Sequence, residues 1–149
     1  MSKPLLHLRA AEPADLAAIS GLDARLTGSA KTAYWQGMLE RYAGGPPERQ
    51  FLVAETAQGT LAGFVAGEVR AWEFGQPPAG WIFAIEVDPK LRLGGVGSAL
   101  FEALAERFRA QGVDRLRTLV DRKDHSILAF FRAQGMTAGP SLQLDRAIG

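Results

Sequence analysis

The sequence lacks cysteine altogether and has only two histidines among its 149 residues. Without cysteine it can form no disulfide, carry no thiolate nucleophile and build no thiolate-ligated zinc site. His7 and His125 are too few for a histidine-based metal site, so we expect no bound metal. The absence of cysteine also favours a cytoplasmic protein, because disulfides belong to oxidising compartments.

An excess of charge of one sign is also absent, since 17 basic residues face 16 acidic ones. The sequence has no basic stripe that could neutralise a phosphate backbone, so we expect no nucleic-acid partner. Long apolar runs are missing as well: residues 61–69 are interrupted by two glycines and Glu68, far short of the roughly 20 residues that span a membrane. The apolar run before Arg9 is too short for a signal peptide. We therefore expect a cytoplasmic protein without a membrane partner.

The length and the hydrophobic spacing predict a single domain over residues 1–149, with a core of its own. Alternation and helical spacing favour an α/β fold with one mixed, mostly antiparallel sheet flanked by about four helices. The predicted strands are residues 5–9, 51–56, 60–72, 81–87, 116–120 and 141–144. The predicted helices are residues 14–26, 30–42, 96–111 and 124–134.

A glycine-rich segment, Arg92-Leu-Gly-Gly-Val-Gly-Ser98, joins the apolar strand that ends at Val87 to a predicted helix. The N-terminus of a helix presents unpaired N–H groups and the positive end of the helix dipole, which together favour an anion. Gly95 and Gly97 have no Cβ to keep a phosphate away from the backbone. The segment lacks the Lys-Ser/Thr of a Walker loop, and Leu100 stands where a dinucleotide fingerprint has its third glycine. A tight strand-to-helix turn without a ligand is the alternative explanation.

The pattern Arg92-x-x-Gly95-x-Gly97 is similar to the Arg/Gln-x-x-Gly-x-Gly/Ala signature of the GNAT superfamily of N-acetyltransferases. Residues 87–89 before it, 99–101 after it and 129–136 further on resemble the family's central segments in order and spacing. The resemblance covers nearly the whole chain, which is also loosely similar to the ribosomal-protein alanine acetyltransferase branch. It implies a strongly twisted mixed sheet, with two central strands splayed apart to admit the pantetheine arm of acetyl-CoA.

The resemblance also implies which residues bind the cofactor. Backbone groups of Ile85, Glu86 and Val87 would pair with the pantetheine, and an N–H near Val87 would polarise the acyl carbonyl. The pyrophosphate would lie on the glycine-rich segment: Arg92, Leu93, Gly94, Gly95, Val96, Gly97 and Ser98. Asp124 and Phe131 would also lie beside the cofactor. Many relatives have an asparagine at the first of these positions and, at the second, a tyrosine that protonates the departing thiolate.

Glu86 is the predicted general base, because an alkyl amine must lose a proton before it can attack a thioester. This glutamate is an ionisable residue inside an otherwise apolar strand, and burial would raise its pKa toward a useful value. Its side chain pointing to solvent or pairing with an arginine is the alternative. Some relatives carry the base on the fifth strand, where this chain has Leu119, which cannot serve.

Three residues are predicted to contact the acceptor amine: Tyr34, Trp35 and Glu68. A core position for the two aromatic residues and a solvated strand face for Glu68 are the alternatives. We expect direct acetyl transfer to a primary amine of a small molecule or of a protein N-terminus. A protein that binds acyl-CoA as a sensor or interaction module is the competing hypothesis, with Phe131 as its main support. Transfer of a larger acyl group is a third reading, and a homodimer is a further expectation from the family.

Overall fold

The computed structural model describes residues 5–149, apart from the side chains of Arg92 and Leu93. It divides into two compact units, one ending at Leu119 and one running from Val120 to Gly149. The elements of the first unit are β1 (Leu6–Ala10), α1 (Leu16–Thr27), α2 (Thr32–Tyr42), β2 (Arg49–Thr56), β3 (Leu61–Arg70), β4 (Ala79–Val87), α3 (Val96–Arg109) and β5 (Leu116–Thr118). The second unit contains α4 (His125–Ala133).

The five strands form one sheet in the order β1-β2-β3-β4-β5. Neighbouring strands run antiparallel except for β4 and β5, which are parallel. The predicted mixed, mostly antiparallel sheet with four helices is therefore confirmed. In the β3–β4 register Gly63 lies opposite Val87 and Phe64 lies opposite Glu86.

The two faces of the sheet bury different helices. On one face Phe51 and Phe64 belong to the same buried cluster as Ile19 and Leu22 of α1 and Trp35 of α2. On the other face α3 packs against β3, with four buried side chains at four-residue spacing: Val96, Leu100, Leu104 and Phe108. Glycines on β3 permit this close approach, since a Cβ on Gly63 would lie 3.1 Å from the Leu100 side chain and 2.6 Å from the carbonyl oxygen of Glu86.

The predicted strand over residues 141–144 is wrong, because the structure has neither helix nor strand from residue 137 to residue 149. The alternating pattern there rests on Leu142 and Leu144 alone, and these side chains are 78% and 88% exposed. Two exposed leucines bury too little apolar surface to offset the entropy of ordering the segment. None of the described helices is both long and apolar enough to cross a membrane.

Candidate active site

β4 has an open edge beyond its first few residues. β5 pairs only with Gly80, Trp81 and Ile82, and the Thr118 hydroxyl donates a hydrogen bond to the Ile82 carbonyl at 2.8 Å. From residue 83 to residue 87 no described strand pairs with this side of β4. Pairing between β4 and β5 therefore stops where the three-residue β5 ends, and β5 is the edge of the described sheet, whereas the resemblance implied two splayed central strands.

The backbone of this segment directs alternate groups to its two sides. Asp88 N–H donates to the Ala62 carbonyl on β3 at 2.8 Å, so the groups of Glu86, two residues earlier, also point toward β3. The N–H and C=O groups of Ile85 and Val87 consequently point to the open edge, whereas those of Glu86, also predicted to pair with the pantetheine, are turned to β3. An extended ligand can pair with such an edge as an added strand.

The open edge leads directly into the N-terminus of α3. A short turn, Pro89–Gly94, begins with the Asp88 carboxylate accepting a hydrogen bond from Lys90 N–H at 3.0 Å. Gly95 then adopts a left-handed φ of +75°, which lets the chain reverse into the helix. The helix starts with the hydrogen bond from Ala99 N–H to the Gly95 carbonyl at 3.0 Å, so the positive end of its dipole lies at Gly95.

The space beside Gly95 suits an anion, because a Cβ placed there would meet no atom within 4 Å. Ser98 in the first turn of α3 is exposed. The positive end of a helix dipole beside open space favours an anion, and the contact of this segment with a pyrophosphate stays a prediction. The predicted contributions of the Arg92 and Leu93 side chains lie outside the described part of the chain.

Glu86 lies on the face of the sheet that packs against α1 and α2, opposite Phe64. Its Oε1 atom is buried and has no hydrogen-bond partner among the described residues. Burial, with a smaller contribution from the adjacent Asp23 carboxyl, raises the pKa of Glu86 to about 8, and the Lys31 ammonium opposes this shift. Glu86 is half-buried, and the charged groups that act on it are Asp23 and Lys31, with no arginine among them in the described part of the chain.

Asp23 on α1 is the buried neighbour of Glu86, with 2% of its surface exposed. The Trp35 indole N–H and the Lys31 ammonium both bond to its Oδ2 atom, each at 3.0 Å. Burial disfavours the charged form of Asp23, but hydrogen bonds from Trp35, Glu86 and Lys31 outweigh it and hold the pKa of Asp23 below its ordinary value. Asp23 is thus a buried, ionised group beside the predicted base.

Sequence reasoning missed Asp23 and Lys31, although one signal pointed to the first. Asp23 follows Ile19 by four residues and Leu22 by one, so helical spacing places it on the buried face of α1. A charged residue on such a face needs partners, and these come from the start of α2. No feature of the sequence shows that Lys31 would reach it.

The three predicted acceptor residues have different surroundings. Tyr34 is 50% exposed, whereas Trp35 is 3% exposed and lies in the core, where its ring centroid is 5.1 Å from that of Phe64. Glu68 on β3 accepts a hydrogen bond from the Tyr42 hydroxyl at 3.0 Å. Burial and this hydrogen bond raise the pKa of Tyr42. Of the three, Tyr34 and Glu68 have surface within reach of solvent.

Asp124 and Phe131 belong to the second unit. The Asp124 carboxylate caps α4 by accepting a hydrogen bond from Ile127 N–H at 3.1 Å. Phe131 is 5% exposed and packs edge-to-face on Phe130, with 5.2 Å between ring centroids. Their contact with a cofactor stays a prediction. No group of three or more described His, Asp or Glu side chains could hold a metal ion.

Comparisons with known proteins identify the family of this chain. Residues 16–136 match the model of the Acetyltransferase (GNAT) family. Mycothiol acetyltransferase from Thermobispora bispora is 34% identical over 88 residues, which are 58% of this chain and 30% of that protein. The chain thus aligns with about a third of the length of this curated relative.

Solved structures share the fold over nearly their whole length. An aminoglycoside N-acetyltransferase in complex with CoA superposes with a TM-score of 0.84 at 17% identity, covering 98% of this chain and 97% of the other. A ribosomal-protein-alanine N-acetyltransferase from Brucella melitensis does so with a TM-score of 0.76 at 20% identity, covering 96% and 100%. Because the family model covers most of the chain, the chain belongs to the GNAT acetyltransferase family, whose members use acetyl-CoA.

Proposed function

We propose that this chain transfers an acetyl group from acetyl-CoA to a primary amine by direct attack. The observation that carries the proposal is the open edge of β4, which runs into the N-terminus of α3 and has the half-buried Glu86 on it. The edge supplies hydrogen bonds for an extended ligand, the helix N-terminus suits a pyrophosphate, and the glutamate can accept a proton. With no cysteine in the chain, a thioester intermediate on the protein is excluded.

The residues around this edge fit acetyl-CoA, as the open space beside Gly95 and the free backbone groups of β4 indicate. Ile85 and Val87 would bind the pantetheine through their backbone, and the segment from Arg92 to Ser98 would bind the pyrophosphate. The Val87 N–H, directed to the open edge, would hydrogen-bond the acyl carbonyl and favour the oxyanion that forms there. When bound, acetyl-CoA supplies an activated acetyl carbonyl for the amine to attack.

Glu86 would accept the proton of the amine, directly or through a water. In the transfer the C–N bond forms, the C–S bond breaks and one N–H proton moves to the Glu86 carboxylate. Phe131 has no proton to give the departing thiolate, so that proton comes from solvent or from another side chain. Because the pKa of Glu86 is about 8, the base is mostly protonated at neutral pH and gains in activity as the pH rises through about 8.

The acceptor is a small molecule or a protein N-terminus. Tyr34 and Glu68 are proposed to contact it, and Trp35 is proposed to act from the core through Asp23. The names of the relatives support small amines and protein N-termini alike, since they include an aminoglycoside acetyltransferase and a ribosomal-protein-alanine acetyltransferase.

We further infer a single domain over residues 1–149, because the matched family model runs through both compact units. A cytoplasmic location and a homodimer remain predictions from the sequence and the family. An acyl-CoA-binding module with weak or lost catalysis is the second candidate, and Phe131 in place of the family's usual tyrosine favours it. Transfer of an acyl group larger than acetyl is a third candidate, and it would use the same site residues.

The direct test is thiol release from acetyl-CoA with a panel of alkylamines, aminoglycosides and peptides with free N-termini, beside calorimetric titration of acetyl-CoA. We expect binding together with thiol release on one class of amine. Binding without release on any of them would favour the binding module or another acyl donor. Absence of binding would contradict the assignment of the glycine-rich segment.

A further inference from the structure

We propose that Asp23 is a positioning residue for the reaction, which shares one proton with Glu86 so that the two carboxyl groups accept protons as a pair. The inference rests on the proposed function, in which Glu86 is the base. It assigns a role to three residues that the open edge of β4 does not explain: Asp23 of α1, Lys31 just before α2 and Trp35 of α2.

Two hydrogen-bond donors hold the Asp23 carboxyl group in place and favour its ionised form. Its carboxylate is 2% exposed, and two donors on neighbouring turns reach the same oxygen. One donor, the Trp35 indole, lies in the core; the other, the Lys31 ammonium, carries a full positive charge. A hydrogen bond between the hydroxyls of Ser20 and Thr32, 3.2 Å apart, joins α1 to the start of α2 beside Lys31.

Glu86 is left without such donors. Its buried Oε1 has no partner among the described residues. Asp23 lies on the same face of the sheet, since its donor Trp35 packs on Phe64, which stands opposite Glu86, and the two carboxyl groups act on one another's proton. Two adjacent carboxyl groups in a buried setting do not both ionise readily, and they hold one proton between them. Since Asp23 has the donors, the proton belongs on Glu86, which donates it to Asp23 when the site is empty.

The charged groups that face Glu86 are few. α1 contributes Asp23, and the residue preceding α2 contributes Lys31, whereas Phe64 stands opposite on β3. Asp88, two residues further along the chain, is turned toward Arg25 at 3.8 Å. Asp23 and Lys31 act on the Glu86 proton with opposite signs, the first retaining it and the second favouring its release.

In the reaction the pair loses its shared proton to solvent before the acceptor attacks, and Glu86 then takes one N–H proton from the amine. The N–H bond breaks and an O–H bond forms at Glu86, so no further reactant is needed. Asp23 does not touch the acceptor in this scheme. Its charge sets how firmly Glu86 holds the proton.

Two variants test the pair because they move the Glu86 titration in opposite directions. Asp23→Asn keeps an oxygen for the Trp35 N–H but removes the negative charge, so Glu86 should titrate about one pH unit lower or more. Lys31→Met removes the positive charge, so Glu86 should titrate higher, by about half a unit. The measurement is a carboxyl ¹³C NMR titration of glutamate-labelled protein, with Glu86→Gln identifying the resonance.

The titration needs no turnover, so it separates this inference from the proposed function. If the two variants shift the Glu86 titration in opposite directions but the protein transfers no acetyl group, the carboxyl pair is supported and the enzyme assignment is contradicted. Shifts of the same sign, or no shift in either variant, would overturn the pair even if the enzyme is active. If Asp23 had a merely structural role, Asp23→Asn would lower the free energy of unfolding and leave the Glu86 titration unchanged. Circular dichroism of both variants checks that they are folded.

Discussion

At the scale of single residues, the Asp23 carboxylate is buried at a cost in desolvation free energy that its hydrogen-bond donors offset. A carboxylate in an apolar cluster loses its hydration, and only charge-assisted hydrogen bonds offset that loss. Trp35 supplies one such bond while its ring packs against Phe64 and Phe51. The same side chain therefore contributes apolar contact area and one of the donors that Asp23 requires.

Trp35→Phe keeps an aromatic ring but removes the N–H that bonds to Asp23. We expect it to lower the free energy of unfolding by about 2–3 kcal/mol, because a buried charged acceptor loses a donor and the smaller ring leaves a gap. Chemical denaturation of the variant against wild type measures the loss. Trp72→Phe is the matched control, since Trp72 is 68% exposed and should change little. Equal effects of the two substitutions would contradict the role of the Trp35 N–H.

At the scale of elements, the site depends on two features of β4 and α3. Pairing of β5 with only the first part of β4 leaves one edge free, and the turn at Gly95 aims the N-terminus of α3 toward the same end of that strand. Neither feature requires an unusual side chain. They follow from where the strand pairing stops and where the backbone takes a left-handed conformation.

Gly95→Ala tests the second feature against a matched glycine. Gly95 and Gly28 have φ values of +75° and +78°, and a Cβ on either would meet no atom within 4 Å. Both alanine variants should therefore lose about 1 kcal/mol of stability through backbone strain. Only Gly95→Ala should weaken acetyl-CoA binding, by about tenfold or more, because its Cβ would stand where the pyrophosphate approaches. Calorimetric titration of both variants measures this, and equal affinities would contradict the anion site at Gly95.

The sequence predicts the strand and the helix around the proposed cofactor site better than it predicts the contacts of Asp23 with Lys31 and Trp35. The run from Trp81 to Val87 and the four-residue spacing from Val96 to Phe108 are strong local signals, and the structure confirms both elements. The predicted strand over residues 141–144 rested on two leucines, too few to outweigh other conformations. Asp23 escaped notice because its partners come from a different helix, and such long-range pairing leaves no periodic trace in the sequence.

At the scale of the whole molecule, stability depends on pH through the groups whose pKa differs between the folded and the unfolded chain, and Glu86 is one of them. Glu86 has a pKa of about 8 in the folded chain against an ordinary value of 4.5. Between these values the folded chain holds a proton that the unfolded chain releases. The stability contributed by the protonated carboxyl is therefore fully present below about pH 4.5 and is lost as the pH rises through about 8.

Glu86→Gln removes this titration and should flatten the dependence of stability on pH. At about pH 5 we expect the variant and wild type to unfold with similar free energies, since the protonated carboxyl and the amide are alike. Above about pH 8.5 the variant should be more stable by about 1–2 kcal/mol, less than the whole pKa shift would give because solvent screens a half-buried group. Urea denaturation across this range measures the difference. A constant difference between the two proteins would contradict the raised pKa of Glu86.

The measurement that tests the central claim most directly is the pH dependence of thiol release from acetyl-CoA by wild type and Glu86→Gln, with a weakly basic amine that is already neutral at about pH 6. Such an acceptor does not titrate in the range of interest, so a rising limb reports on the protein. Glu48→Gln, which changes an exposed glutamate before β2, is the control. In wild type and in the control we expect the rate of thiol release to rise with pH through about 8. In Glu86→Gln we expect a rate at least tenfold lower that lacks this rise, with acetyl-CoA affinity retained. The same profile and rate in all three proteins would contradict the assignment of Glu86 as the base.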